Sequence, residues 1–291
     1  YLGGGTPILL WREICDIMDE IQPYMTENAE VTIEANPCCT DESSLHSLKA
    51  HNVNRISFGL QSGNDNELKA LGRRHNSKVG ADAINMAYKA GFENISGDIM
   101  LGVPLQTKKS LIETIGYMTS LPLSHISAYL LKIEPGTPYA KKQLTLPDDD
   151  GYADIYLETV NRLADKGYKQ YEISNFSKPG MISRHNLKYW RCEEYLGIGP
   201  AAHSYFNGER FAVGRDLGAF IQSEVQPAVI TERECGDYEE WAMLKLRLSE
   251  GLDFKTAEER FGVSKEDIFK KCRLIPDKLY RADDKAIHLT P

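Results

Sequence analysis

Apolar residues recur along this chain with two periods, and the periods alternate. Spacing of two predicts strands over 31–36, 55–61, 94–101, 125–133 and 168–176. Helical spacing predicts helices over 10–22, 41–51, 66–71, 79–90, 108–121 and 151–166. The first helix is expected to bury Leu10, Ile14, Ile17 and Ile21, and the fifth Leu111, Ile115 and Met118. Strict alternation of strand and helix implies an α/β fold with a parallel sheet, closed or nearly closed into a barrel.

The two faces of each strand carry more than the count of strands. Neighbouring side chains point to opposite sides. Val31, Ile33 and Ala35 oppose Thr32, Glu34 and Asn36; Ile56, Phe58 and Leu60 oppose Ser57, Gly59 and Gln61. Ile95, Ile99 and Leu101 oppose Ser96 and Asp98; Ile126, Ala128 and Leu130 oppose Ser127 and Tyr129; Tyr171 and Ile173 oppose Glu172 and Ser174. Apolar faces must meet the surrounding helices, so five strands are expected to send polar groups inward. An ordinary barrel fills that space with Val, Ile and Leu. The inward groups form either a self-satisfied buried network or the wall of a hydrated lumen that holds a polar ligand, since each left unpaired costs about 1–3 kcal/mol.

Composition narrows the class. The 291 residues are 42% hydrophobic and 26% charged, as in an ordinary globular chain, with room for one large domain and a small one. A net charge of −8 argues against a nucleic-acid surface, and no apolar run approaches the roughly 18 residues of a membrane span. Cys15, Cys38, Cys39, Cys192, Cys235 and Cys272 show no chelating spacing and are expected to be the reduced thiols of a cytoplasmic protein.

Tyr1-Leu2-Gly3-Gly4-Gly5-Thr6-Pro7 reads as a strand end entering a glycine turn, which offers bare backbone groups to a ligand. A triple glycine by itself is equally a plain tight turn. In order, GGGTP (3–7), TIEANP (32–37), ISFGLQS (56–62), ALGRRH (70–75) and DIMLGVP (98–104) give it a context. Together they resemble the radical S-adenosylmethionine proteins of the oxygen-independent coproporphyrinogen III oxidase family. EISNFSKPG (172–180), RHNLKYW (184–190) and YLGIGPAAHSY (195–205) resemble that family's haem chaperone branch.

The resemblance implies a partial radical-SAM (β/α) barrel. Gly4, Gly5 and Thr6 would hold the amino-acid end of S-adenosylmethionine, and Glu34, Gln61, Arg73 and Asp98 would surround it. The chemistry agrees: a carboxylate suits an ammonium or ribose hydroxyls, and arginine suits a carboxylate. The family's three-cysteine loop for a [4Fe–4S] cluster is not in these residues. The expectation is that the sequence is trimmed at both ends, with the cluster cysteines upstream of Tyr1. The cluster then belongs to the full-length protein, and residues 1–291 alone assemble none. Gly63 stands where the family usually has an aromatic, which predicts a more open rim.

The branch implies a protein that binds haem or a porphyrin and passes haem to acceptor proteins, with any membrane contact made only through an acceptor. His185 is the expected haem ligand, since Arg184–Trp190 supplies an axial base, aromatic surface and cations within seven residues. His203 is a rival, and a structural tether is a third role for His185. The alternative activity is oxidative decarboxylation of coproporphyrinogen III by a 5′-deoxyadenosyl radical. A barrel enzyme for phosphorylated substrates fits the polar lumen less well. The expected domains are the barrel over 1–180, an accessory region over 181–236 and a winged-helix-like module over 237–291. In the last, Trp241, Leu244 and Leu248 stripe a helix, Ser264 and Asp267 resemble a capping box, and 285–289 reads as a wing strand. Its 11 Lys and Arg against 12 Asp and Glu disfavour DNA binding and favour packing or partner docking.

Overall fold

The structure is a computed structural model that describes residues 1–290 apart from Pro138 and Gln143; the terminal Pro291 lies outside the described residues. The chain forms two compact units, 1–182 and 183–291.

The first unit is an α/β sheet layered with helices. Strands β1 (Thr32–Ala35), β2 (Arg55–Gln61), β3 (Asn94–Leu101) and β4 (His125–Leu130) run parallel in that order. Leu2 bridges Ile33 on the far side of β1. Helices α1 (Trp11–Ile21), α2 (Glu42–Ala50), α3 (Asp65–Ala70), α4 (Ser77–Lys89), α5 (Lys108–Ser120) and α6 (Asp149–Asp165) fill the connections. Local chemistry starts most of them: Asp41 and Thr107 make reciprocal capping boxes with Ser44 and Ser110, and Asn64, Asn76 and Asp148 accept from first-turn N–H groups. The core is the apolar strand face plus one stripe of each helix, with Ile33, Ile56, Phe58, Ile95, Ile99 and Ile126 fully buried beside Leu111, Ile115 and Met118.

The structure departs from the sequence expectation in four places. The 168–176 segment is a hairpin, not one parallel strand: β5 (Lys169–Glu172) turns at Ile173-Ser174 into β6 (Asn175–Ser177), which runs antiparallel to β4. No glycine or proline marks that turn, so the period of two runs through it unbroken. The sheet is therefore open, with β5 at one edge and Leu2 beyond β1 at the other. The first helix begins as a 3₁₀ turn (Pro7–Leu10), which shifts its face: Ile14, Cys15 and Met18 are buried, whereas Leu10, Ile17 and Ile21 are exposed. Last, the rim at Gly63 is filled. A Cβ there would lie 2.9 Å from the Tyr117 ring, so an aromatic from α5 occupies the space.

The second unit carries α7 (Arg184–Trp190), an antiparallel sheet of β7 (His203–Phe206), β8 (Glu209–Val213) and β9 (Ala228–Glu232), and α8 (Leu217–Gln222). It continues with α9 (Tyr238–Lys245), β10 (Leu252–Asp253), α10 (Phe254–Phe261), α11 (Lys265–Cys272) and the hairpin β11 (Tyr280–Ala282) and β12 (Ala286–Leu289). One core joins these parts: Cys192 and Tyr205 pack with Trp241, Phe254, Ile268 and Ile287.

Candidate functional site

The polar strand faces of the first unit meet in rows. Thr32 pairs with Arg55; Glu34 pairs with Ser57, which pairs with Ser96, which pairs with His125; Asp98 pairs with Ser127. On the β3–β4 side the polar groups close on one another. His125 bridges Ser96 Oγ and Tyr171 Oη at 2.7 Å each, and all three are buried. Tyr171 thus reaches the lumen side. A register shift between Gln170 and Glu172 turns it there, against the alternation that paired it with Ile173 outside. Burial and the nearby Arg55 charge push the His125 pKa well below its ordinary value, so the ring is neutral.

The upper rows open into a cavity of about 250 Å³ lined by Gly5, Thr6, Glu34, Asn36, Ser57, Gly59, Gln61, Arg73 and Asp98, with Ala35. Six of the seven residues expected to surround a cofactor line it; Gly4 joins through its backbone N–H, 3.3 Å from Glu34 Oε2. Gly4 and Gly5 take φ of +88° and +59°, the left-handed region that glycine enters without strain. Tyr1 donates its hydroxyl to Glu34 Oε1 at 2.6 Å, so one carboxylate holds the glycine turn from two sides.

Gln61 sits at φ +72°, where the β2–β3 register shifts after Phe58. That bulge re-aims its side chain into the mouth at the C-terminal end of the sheet. Gly59 leaves room beside it: a Cβ would lie 2.8 Å from Gln61 Nε2 and 3.1 Å from Arg73 Nη2, so a side chain there would push both groups from their present positions. Arg73 donates from Nη2 to Gly59 O at 2.7 Å, which fixes its fork at the rim.

Asp98 carries the most perturbed carboxyl in the cavity. Burial raises its pKa from 3.8 to about 6, and the Glu34 charge adds to the rise; hydrogen bonds from Ser127 and Ser57 and the Arg55 charge oppose it. Ser57 Oγ is 3.4 Å from Asp98 Oδ1. Burial and the Asp98 charge push the Tyr129 phenol up to about 12, so it stays a donor. The lining pairs two carboxylates with the one rim guanidinium of Arg73 around free volume, with Arg55 buried below, which suits a small zwitterionic or cationic ligand. Tyr1 and Arg55 were not singled out from sequence. Arg55 was legible by the period of two that placed Ser57, whereas nothing in the sequence marks Tyr1.

In the second unit, α7 displays Arg184-His185-Asn186-Leu187-Lys188-Tyr189-Trp190, and none of the seven is fully buried. The i, i+4 spacing sets Tyr189 over His185: hydroxyl and Nε2 are 2.8 Å apart and the rings meet edge-on at 5.0 Å. Tyr195 packs edge-on against Tyr189, and the Arg247 guanidinium lies 4.7 Å from the Trp190 ring. Just past the helix, Arg191 forks onto Glu250 at 2.9 and 3.1 Å. His203 is exposed on β7.

Among the described residues, no three His, Cys, Asp or Glu side chains gather to hold a metal, and no helix is long and apolar enough to cross a membrane. The described cysteines supply no three-thiolate set of the kind an iron–sulfur cluster needs.

This architecture is that of a radical S-adenosylmethionine protein. Residues 1–118 match the Radical SAM superfamily and 237–291 the HemN C-terminal domain. The solved structure of coproporphyrinogen III oxidase (HemN) from Escherichia coli superposes with a TM-score of 0.81 at 22% identity, over 99% of this chain and 73% of that one; at that identity the likeness shows the fold alone. The family is narrower. The chain is 34% identical to the heme chaperone HemW of Bacillus subtilis and 34% identical to that of Lactococcus lactis, in both cases over 100% of its own length and 80% of theirs. It is also 38% identical to the mouse mitochondrial radical S-adenosyl methionine domain-containing protein 1, over 71% of this chain and 48% of that one. The chain belongs to the heme chaperone HemW family.

Proposed function

We propose that this protein is a haem chaperone that binds haem through the α7 segment and carries an S-adenosylmethionine site in its lumen. The observation that carries the reading is the full-length similarity to proteins named heme chaperone HemW, joined to a helix that presents an imidazole, two aromatic rings and two cations. Haem is a flat apolar disc with two propionates, and that helix offers a group for each part.

In the lumen, Gly4, Gly5 and Thr6 would take the amino-acid end of S-adenosylmethionine through backbone groups, and Arg73 its carboxylate. Glu34 and Asp98 would take its ammonium and ribose hydroxyls, and Gln61 would fix its orientation. When bound, this cofactor supplies a sulfonium that one-electron reduction can cleave. The residues described here bind it, orient it and exclude water. Acceptor proteins for the haem, and a cytoplasmic setting, belong to the same reading.

In α7, His185 is the proposed iron ligand. Its Nε2 faces the Tyr189 hydroxyl at 2.8 Å, so ligation through that nitrogen requires Tyr189 to move aside. The test is haem titration of full-length wild type and His185→Ala, followed at the Soret band. Loss of the ligated spectrum in a variant with an unchanged circular dichroism spectrum supports the reading; an unchanged affinity and spectrum removes His185 and leaves His203.

A further inference from the structure

Arg55 is a charged residue that the cavity description leaves without a task. It opens β2 with 3% of its surface exposed, and its Nε has no hydrogen-bond partner. Strand alternation puts it on the face of Ser57, one row below the cavity, beside Thr32, whose buried Oγ1 is also unpartnered. Two residues of strand rise about 6.6 Å, a distance an arginine side chain can span to the Ser57 row, and the Arg55 charge acts on Asp98, which Ser57 Oγ meets at 3.4 Å. Arg73 at the rim spends a donor on the backbone of Gly59. Arg55 makes no comparable backbone commitment, and burying a guanidinium without full pairing is expensive. Its charge is felt along the floor, at His125, at the Tyr1 phenol and at Asp98.

We propose that Arg55 is a positioning residue of the lumen, a buried cation at its floor that holds the Asp98 carboxylate as an anion for a positively charged ligand above it. The ligand part rests on the S-adenosylmethionine reading; the hold on Asp98 does not. Asp98 is faced by the Tyr1 phenol, by Glu34 on β1, by Arg55 and Ser57 on β2, by Arg73 at the rim, and by Ser127 and Tyr129 on β4. Of these, Glu34 raises its proton affinity, while Arg55, Ser57 and Ser127 lower it. Arg55 and the rim Arg73 are the two full charges that favour the anion; Arg55 is the buried one, so its loss removes the less screened of the two and tips the balance toward the neutral acid.

The test has two arms. In the ligand-free chain, the Asp98 side-chain carbon is titrated by NMR in wild type, Arg55→Met and Arg55→Lys. The midpoint is expected near 6 in wild type. It is expected about one unit higher in Arg55→Met and near the wild-type value in Arg55→Lys, which keeps the charge. In the second arm, S-adenosylmethionine affinity of the full-length proteins is measured against pH. With that one-unit shift, Arg55→Met binds about fivefold more weakly than wild type at pH 6 and almost equally at pH 8. A residue needed only for folding would weaken binding alike at both. An unmoved midpoint in folded Arg55→Met overturns the proposal. If that variant does not fold, a midpoint one unit higher in Arg55→Lys overturns it. A shifted midpoint with affinity independent of pH in both proteins keeps the Arg55–Asp98 link and sinks the cofactor reading.

Discussion

The lumen and the α7 helix are built on opposite principles. In the lumen the charged side chains are fixed by second groups: Glu34 by Tyr1 and Gly4, Arg73 by Gly59, Asp98 by Ser57 and Ser127. The supporting strands are buried, and two bulges set the aim of Gln61 and Tyr171. Helix α7 has seven residues, no side-chain cap and no fully buried member. The Tyr189 hydroxyl lies 2.8 Å from Nε2 of its histidine, the proposed haem ligand. A preorganised site binds a small cofactor without reordering cost. A site on an exposed helix turn is easier to rearrange, which suits the proposed binding and release of haem. The expected outcomes below probe that contrast.

The largest effect is expected from Asp98→Asn. Because Asp98 titrates higher in the folded protein than its ordinary 3.8, the stability it contributes is complete below about pH 4 and lost as the pH rises through 6. At pH 8 the ionised form therefore costs the fold on the order of 3 kcal/mol. The neutral amide removes that cost, so the variant melts higher than wild type at pH 8, with the gain gone at pH 4. It also loses a charged acceptor, and S-adenosylmethionine affinity falls roughly 10- to 100-fold. Thermal unfolding against pH, with calorimetric binding, checks both. A variant less stable at pH 8 would mean that the lumen is not strained in favour of its ligand.

How far the sequence reached follows the same divide. The lumen wall was legible because strand alternation is a hard geometric rule, and it placed Glu34, Ser57, Ser96, Asp98 and Ser127 correctly. It failed where a residue breaks the count. The shift at Gln170 has no signature in composition, so the inward Tyr171 appears only in the fold; Gln61 was placed on the polar face correctly, and only its left-handed backbone was not legible. The face of α1 was misread because a 3₁₀ turn rotates its start. Arg55 was in reach of the rule but lies below the motif residues that drew attention. The Tyr189–His185 pair was also in reach, since both belong to one helix four residues apart.

A smaller effect is expected from His185→Ala, and it tests the independence of the two regions. Haem affinity should fall at least about tenfold, roughly 1.4 kcal/mol, with the ligated Soret band lost. S-adenosylmethionine affinity in the same protein should not change. His185 is half-exposed and caps no element, so the melting temperature should move little. A parallel loss of both affinities would show the two sites to be coupled and would remove the contrast drawn above.

The smallest effect, and the sharpest test of the rearrangement idea, is expected from Tyr189→Phe. The substitution keeps the ring that meets His185 edge-on and Tyr195 beside it, and deletes only the hydroxyl. In the haem-free protein that hydroxyl engages Nε2, so ligation through Nε2 must first break one hydrogen bond. A net hydrogen bond contributes about 0.5–1.5 kcal/mol, so its removal should tighten haem binding about two- to tenfold. The gain should be in the association rate, because the bond is broken on the way to the complex and is absent from the complex itself. Stopped-flow absorbance separates that from a slower release. The opposite result, weaker binding with faster release, would mean that the hydroxyl orients the imidazole in the complex. Helix α7 would then be preorganised like the lumen, and ease of rearrangement would not be what distinguishes the two regions.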